Sequence, residues 1–163
     1  MKKISACFVI LAALIFVISC GGTEESIDGN IWSSRSSSTY TWGGAFSYCD
    51  NLTEGGYSDW RLPNINELRT LIKNCAGSQA GGSCAVQDPS CLSSTCSSDS
   101  CYCDYMETNG GYYSKLGDPD GVMLCSSSDI SDLTGYVWCV YFESGHVSSG
   151  RRDYDGIYVR CVR

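Results

Sequence analysis

The sequence predicts an α+β fold, two helices packed on short antiparallel strands and stapled by disulfides. Three observations carry this. Residues 42–52 and 64–73 place apolar side chains at helical spacing, the second set behind a capping pair. Beyond residue 120 the apolar residues gather instead into short runs of β-branched and aromatic side chains. Helices first and strands later is an α+β order, not the alternation of a doubly wound sheet. Finally, 12 cysteines in 163 residues become cross-links once an export leader is recognised.

That leader comes first in the chain. Met1-Lys2-Lys3 precedes an apolar run over residues 4–18, shorter than the roughly 20 residues that cross about 30 Å of hydrocarbon. A basic start, a short apolar stretch and a small residue at the cut make a secretory signal. Val17-Ile18-Ser19-Cys20 resembles the lipobox of bacterial lipoproteins. The likeness implies cleavage after residue 19, a diacylglycerol thioether on Cys20 and a lasting lipid anchor. Gly21 resembles outer-membrane sorting. Residues 21–30 are polar and glycine-containing, and read as a flexible tether. The expected organisation is therefore a signal peptide over 1–19, lipidated Cys20 and tether over 20–30, and one domain over 31–163. Loss of the two leader lysines takes the formal charge from −7 to −9. Such an acidic domain does not bind phosphate backbones non-specifically, and no nucleic-acid module is present.

Within the domain, residues 30–41 read as a first strand and turn, with Ile31, Trp32 and Tyr40 among Ser and Thr. Residues 42–52 align Ala45, Phe46, Cys49 and Leu52 on one helical face. After a turn-rich connection, Asn64 and Glu67 form a capping box. Leu68, Leu71 and Ile72 give that second helix its stripe, and Lys73 suits its negative end. Strands are expected around residues 122–125, 136–142 and 157–162.

Cys7 leaves with the leader and Cys20 is lipidated, so 10 of the 12 cysteines remain. An even number in an exported chain points to disulfides rather than metal. Cys75, Cys84, Cys91, Cys96, Cys101 and Cys103 lie in an insert, residues 75–106, rich in Ser and Gly and too poor in large apolar residues to bury a core. Six cysteines allow 15 pairings, and the sequence does not choose among them. Cys101 and Cys103, two apart, are expected to take different partners. Zinc is disfavoured because His146, the single histidine, is far away.

The order of these pieces carries a resemblance. Thr41-Trp42-x-x-Ala45-x-x-Tyr48-Cys49-x-x-Leu52 is followed by Gly56-Tyr57-Ser58-Asp59-Trp60-Arg61-Leu62-Pro63-Asn64 and Glu67-Leu68. Near the end come Ser126-Ser127-Ser128, Val137-Trp138-x-Val140-x-Phe142-x-x-Gly145-x-Val147 and Tyr158-Val159-Arg160-Cys161-Val162-Arg163. Together they resemble the C-terminal domain family of the Legionella collagen-like adhesin, from about Trp32 to the last residue. The departures are the cysteine-rich insert and Cys125, where the family commonly has Trp. The resemblance implies a fold related to C-type lectins, a group that also holds formylglycine-generating enzymes and retroelement-diversified variable proteins. It further implies a disulfide from Cys49 on the first helix to Cys161 on the last strand. Cys125 and Cys139 then remain, to pair with each other or with one directed into the insert.

No enzyme is expected. His146 sits in a glycine-flanked turn, and Ser126-Ser127-Ser128 lacks the Gly-x-Ser-x-Gly context of a nucleophile elbow. Asp118/Asp120 and Asp153/Asp155 are spaced for calcium or for turns, but the Glu-Pro-Asn and Trp-Asn-Asp motifs of sugar-binding lectins do not occur. No cofactor or metal is called for. Residues 141–154 are the ligand-facing candidate, with Tyr141, His146, Ser148, Arg151, Arg152, Asp153 and Tyr154 as contacts. Tyr, Ser, Arg and Gly are the residues adaptable paratopes use. In the retroelement-diversified relatives the same region varies. The expected protein is an outer-membrane lipoprotein, on the cell surface or the periplasmic face, that binds a protein or glycan without covalent chemistry. Two alternatives stand beside it, a disulfide-rich structural envelope lipoprotein and a retroelement-diversified surface receptor.

Overall fold

The computed structural model describes residues 25–103, 113–117 and 122–163. The leader, Cys20, the Asp118–Asp120 turn and the end of the insert lie outside the described residues.

The first element corrects the tether. Glu25–Ile27 (β1) and Asn30–Trp32 (β2) form an antiparallel hairpin. Its two-residue turn, Asp28-Gly29, has positive φ at both positions, 51° and 84°. Asp-Gly is the dipeptide that tight hairpins favour, because its left-handed backbone matches strand twist. The domain therefore begins before residue 31.

Residues 31–40 then run antiparallel to the C-terminus. Ile31, Ser33, Ser36 and Tyr40 donate their N–H groups to the carbonyls of Arg163, Cys161, Val159 and Ile157. The expected strand over 157–162 is present only as isolated bridges. The reason lies in two buried serines, whose hydroxyls replace ladder carbonyls: Ser33 Oγ accepts from Cys161 N (2.8 Å) and Ser36 Oγ from Val159 N (2.9 Å).

Helix α1 spans Trp42–Asp50, with Thr41 Oγ1 accepting from Gly44 N. Ala45 and Cys49 are buried, packed with Trp60, Leu62, Val159 and Cys161. Helix α2 spans Ile65–Thr70, and the Asn64/Glu67 capping box is formed in both directions. Arg61 completes it by holding the Glu67 carboxylate, so Arg61 belongs to the framework. Leu68, Leu71 and Ile72 are fully buried. Lys73 does not serve the helix end: α2 stops at Thr70, and the basic residue of its last turn is the buried Arg69.

Three antiparallel strands, β3 (Met123–Asp129), β4 (Tyr136–Tyr141) and β5 (His146–Arg151), form the main sheet in that order. Trp138, Val140 and Leu124 join α2 and the insert in the larger core. β5 has no strand signal of its own, because His146-Val147-Ser148-Ser149-Gly150-Arg151 has one apolar side chain and gains its conformation by pairing with β4. β3 bulges between Cys125 and Asp129, and its serines become a hub. Ser126 Oγ donates to Trp138 O (2.8 Å), and the Trp42 indole donates to Ser126 O (2.8 Å). Ser127 N donates to Pro63 O (2.8 Å). Ser128 Oγ accepts from Ile65 N (3.0 Å) and donates to Asp88 Oδ2 (2.6 Å). This triplet is buried wiring.

Among the described residues five disulfides close the fold: Cys49–Cys161, Cys75–Cys103, Cys84–Cys101, Cys91–Cys96 and Cys125–Cys139. Cys101 and Cys103 take different partners, and Cys125 pairs with its directly opposed neighbour on β4. The insert, which holds two 3-10 turns among its described residues (Ser94–Cys96 and Asp99–Cys101), is also fastened by polar groups. Arg69 donates to Ser78 O (2.8 Å), Gln79 O (3.1 Å) and Val86 O. Asp132 accepts from Ser94 N and Oγ.

Candidate functional site

An open groove of about 640 Å³ lies where β4 and β5 meet the loop that follows them. Its floor is the β5 backbone at Ser149 and Gly150. A side chain at Gly150 has no room, since a Cβ there would lie 2.4 Å from Cys139 Sγ and 3.1 Å from Cys125 Sγ. The Cys125–Cys139 disulfide thus packs directly against Gly150. Met123 and Tyr136 reach the groove from β3 and β4, and Tyr136 stands opposite Arg151 in the register.

The walls are aromatic and acidic. Tyr141 is half-buried and donates to Ser149 O (3.2 Å). Burial, then the nearby Tyr154 and Glu143, hold its hydroxyl above the ordinary phenol range, so it stays a neutral donor. Tyr154 is 52% exposed. Its ring lies against bare Gly156, where a Cβ would come within 2.3 Å of ring atoms. A tyrosine seated this way offers contact area at small entropic cost. Glu143, Asp153 and Asp155 line the rim with Arg151. Arg151 is already engaged, its Nε and Nη2 reaching the two Asp153 oxygens at 2.9 and 2.6 Å. That pairing lowers the Asp153 pKa and raises that of Arg151. With one guanidinium against three carboxylates among the described residues, the groove is acidic.

Of the residues expected to contact a ligand, Tyr141, Arg151, Asp153 and Tyr154 line the groove, and His146, Ser148 and Arg152 do not. Arg152 turns away from Arg151, pairing with Asp129 and stacking over the Trp42 ring at 4.4 Å. Adjacent residues after a strand end point to opposite sides, so the two arginines do not act as one basic patch. His146 sits between the Tyr102 and Tyr141 rings, with centroids at 5.6 and 6.2 Å. It is half-buried, and burial lowers its pKa. It therefore belongs to the packing behind the groove more than to a polar surface. Ser148 is opposite Cys139 on β5.

Met123, Tyr136, Gly150 and Gly156 also line the groove, and no local sequence pattern marks them. For the first three the signal is strand register alone, which sets Met123 opposite Tyr141, Tyr136 opposite Arg151 and Gly150 opposite Val137. A smaller cavity of about 200 Å³ adjoins Arg69, Asn66 and Gln87 where α2 meets the insert. No three His, Cys, Asp or Glu side chains converge as a metal site among the described residues.

The family model described as the Lcl C-terminal domain matches residues 22–163, insert included. No curated protein and no solved structure matches the chain. The matched span takes in the β1–β2 hairpin, both helices, the sheet and the groove, and the chain belongs to the Lcl C-terminal domain family.

Proposed function

We propose that this chain is an envelope-anchored recognition lipoprotein whose β4–β5 groove binds a protein or glycan partner without covalent chemistry. Family membership supports an adhesin-related, exported role. The observation that carries the finer reading is the groove itself: Tyr136, Tyr141 and Tyr154 gathered on a disulfide-linked sheet. Aromatic side chains on a rigid support are what binding hot spots use. The framework, with two helices against antiparallel strands and a first-helix to C-terminus disulfide, is in keeping with a C-type-lectin-like domain. Lipidated Cys20 would hold it close to the outer membrane, at the surface or facing the periplasm.

Probing protein and glycan arrays with the purified full-length chain tests this. Ligands that the wild type retains should bind at least about tenfold more weakly to Tyr154→Ala, the loss of about 1.4 kcal/mol that one anchor contributes. The melting temperature should hold, since Tyr154 is half exposed. Retained ligands that bind Tyr154→Ala and Tyr141→Ala as tightly as wild type would remove the groove as the site. The intact mass of membrane-purified protein tests the anchor. An N-terminus other than acylated Cys20 would refute it.

A further inference from the structure

Granting that the groove is the recognition surface, we propose that it selects a cationic side chain, lysine or arginine, on an extended segment of a partner polypeptide. Three features converge. Tyr136, Tyr141 and Tyr154 all line one space of about 640 Å³. Aromatic faces carry negative potential and attract ammonium and guanidinium groups within about 6 Å. Glu143, Asp153 and Asp155 stand at the rim of the same space, and the one cation there, Arg151, is held bidentately by Asp153. Glu143 and Asp155 make no hydrogen bond or ion pair among the described residues, so two carboxylates remain open to an incoming charge. The second expected cation, Arg152, is turned to Asp129 and Trp42. An anionic ligand would meet three carboxylates and find no available arginine.

The backbone favours a polypeptide. β5 is the edge of the main sheet, and no strand pairs with its outer side among the described residues. An extended segment can lie along that edge, as in strand addition, while alternate side chains dip into the groove. An amino sugar offers the charge but not the backbone ladder.

Titration of the full-length protein with four probes, followed by amide chemical shifts at physiological salt, tests this. The probes are tetralysine, its Nε-acetylated form, tetraglutamate and glucosamine tetrasaccharide. Tetralysine should bind at least fivefold tighter than the other three and shift amides of residues 146–156. Tyr154→Ala, and the double variant Glu143→Gln with Asp155→Asn, should each weaken tetralysine at least fivefold. Asp50→Asn, the same kind of charge change on the exposed end of α1, should change it less than twofold.

Equal weakening by Asp50→Asn would mean diffuse attraction to an acidic chain and overturn the site. Tighter binding of the glucosamine probe would overturn the polypeptide assignment. Tetraglutamate or acetylated tetralysine bound in the groove, and lost in Tyr154→Ala, would overturn cation selection while leaving the groove as the recognition surface. Tetralysine binding indifferent to every groove variant overturns the cation site, and array ligands equally indifferent would remove the groove reading as well.

Discussion

Replacing Cys49 and Cys161 by alanine should cost this domain far more than removing a short-range disulfide. The Cys49–Cys161 bond spans a sequence separation of 112. On the chain-entropy model, closing a loop of that size restricts the unfolded chain by about 4.8 kcal/mol. The other four disulfides all lie inside the loop, and the two that are not nested in another bypass separations of 28 and 14, which brings the figure to about 4.4 kcal/mol. Cys91–Cys96 spans a separation of 5, for which the same relation gives about 2 kcal/mol. Both sulfurs of the long-range pair are fully buried, between α1 and the C-terminal segment, so their removal also leaves unfilled volume. Urea unfolding under oxidising conditions reads the difference. With a slope of about 1.5–2 kcal/mol per molar, the long-range variant should lose about 2–3 M in midpoint. Cys91→Ala with Cys96→Ala should lose about 1 M. Equal losses in the two variants would refute loop closure as the source of the stability, and so would a long-range loss below about 2 kcal/mol.

Two further outcomes follow from the buried wiring. Ser128→Ala should destabilise by about 2–4 kcal/mol, because it strips the acceptor from Ile65 N and the donor from Asp88 at a buried site. Thermal unfolding measures this, and a loss under about 1 kcal/mol would show that water replaces the hydroxyl. His146 makes the fold sensitive to mild acid. Burial holds its folded pKa below its ordinary 6.5, so the unfolded chain takes up the proton first. Stability should therefore fall as pH drops from about 6.5 toward the folded value. The lowered carboxylates Asp59, Glu67, Asp132 and Asp153 add their own losses only below their ordinary values of 3.8 and 4.5. His146→Asn should flatten melting temperature between pH 7 and 5, and an unchanged slope in that variant would rule the residue out.

By itself the sequence determined the local and covalent parts of this protein. Asn64 and Glu67 announce the start of α2, since a capping box needs only neighbours three residues apart. The apolar spacing around Ala45 and Cys49 announces α1 for the same reason. The β-branched and aromatic run over Tyr136–Tyr141 announces β4. Motif order marked the family, and with it the bridge from Cys49 to Cys161. Asp28-Gly29 is a hairpin dipeptide as well, but the polar stretch around it reads as a tether, and only the structure shows the turn. Only the tertiary structure decided the rest, because those features depend on what each residue meets from far along the chain. β5 is a strand because β4 pairs with it, not because Ser148-Ser149-Gly150 prefers to be one. The C-terminal segment is not a continuous strand because Ser33 and Ser36, more than 120 residues away, replace ladder carbonyls with hydroxyls. Composition favours none of the insert's pairings, and which cysteines meet depends on how the folded insert packs, where Arg69 and Asp132 also fasten it. The two adjacent arginines parted for the same physical reason. Charge and chain proximity are properties of sequence, but the side to which a guanidinium turns is set by the carboxylate waiting for it. Asp153 holds Arg151 at the groove, and Asp129 draws Arg152 behind it.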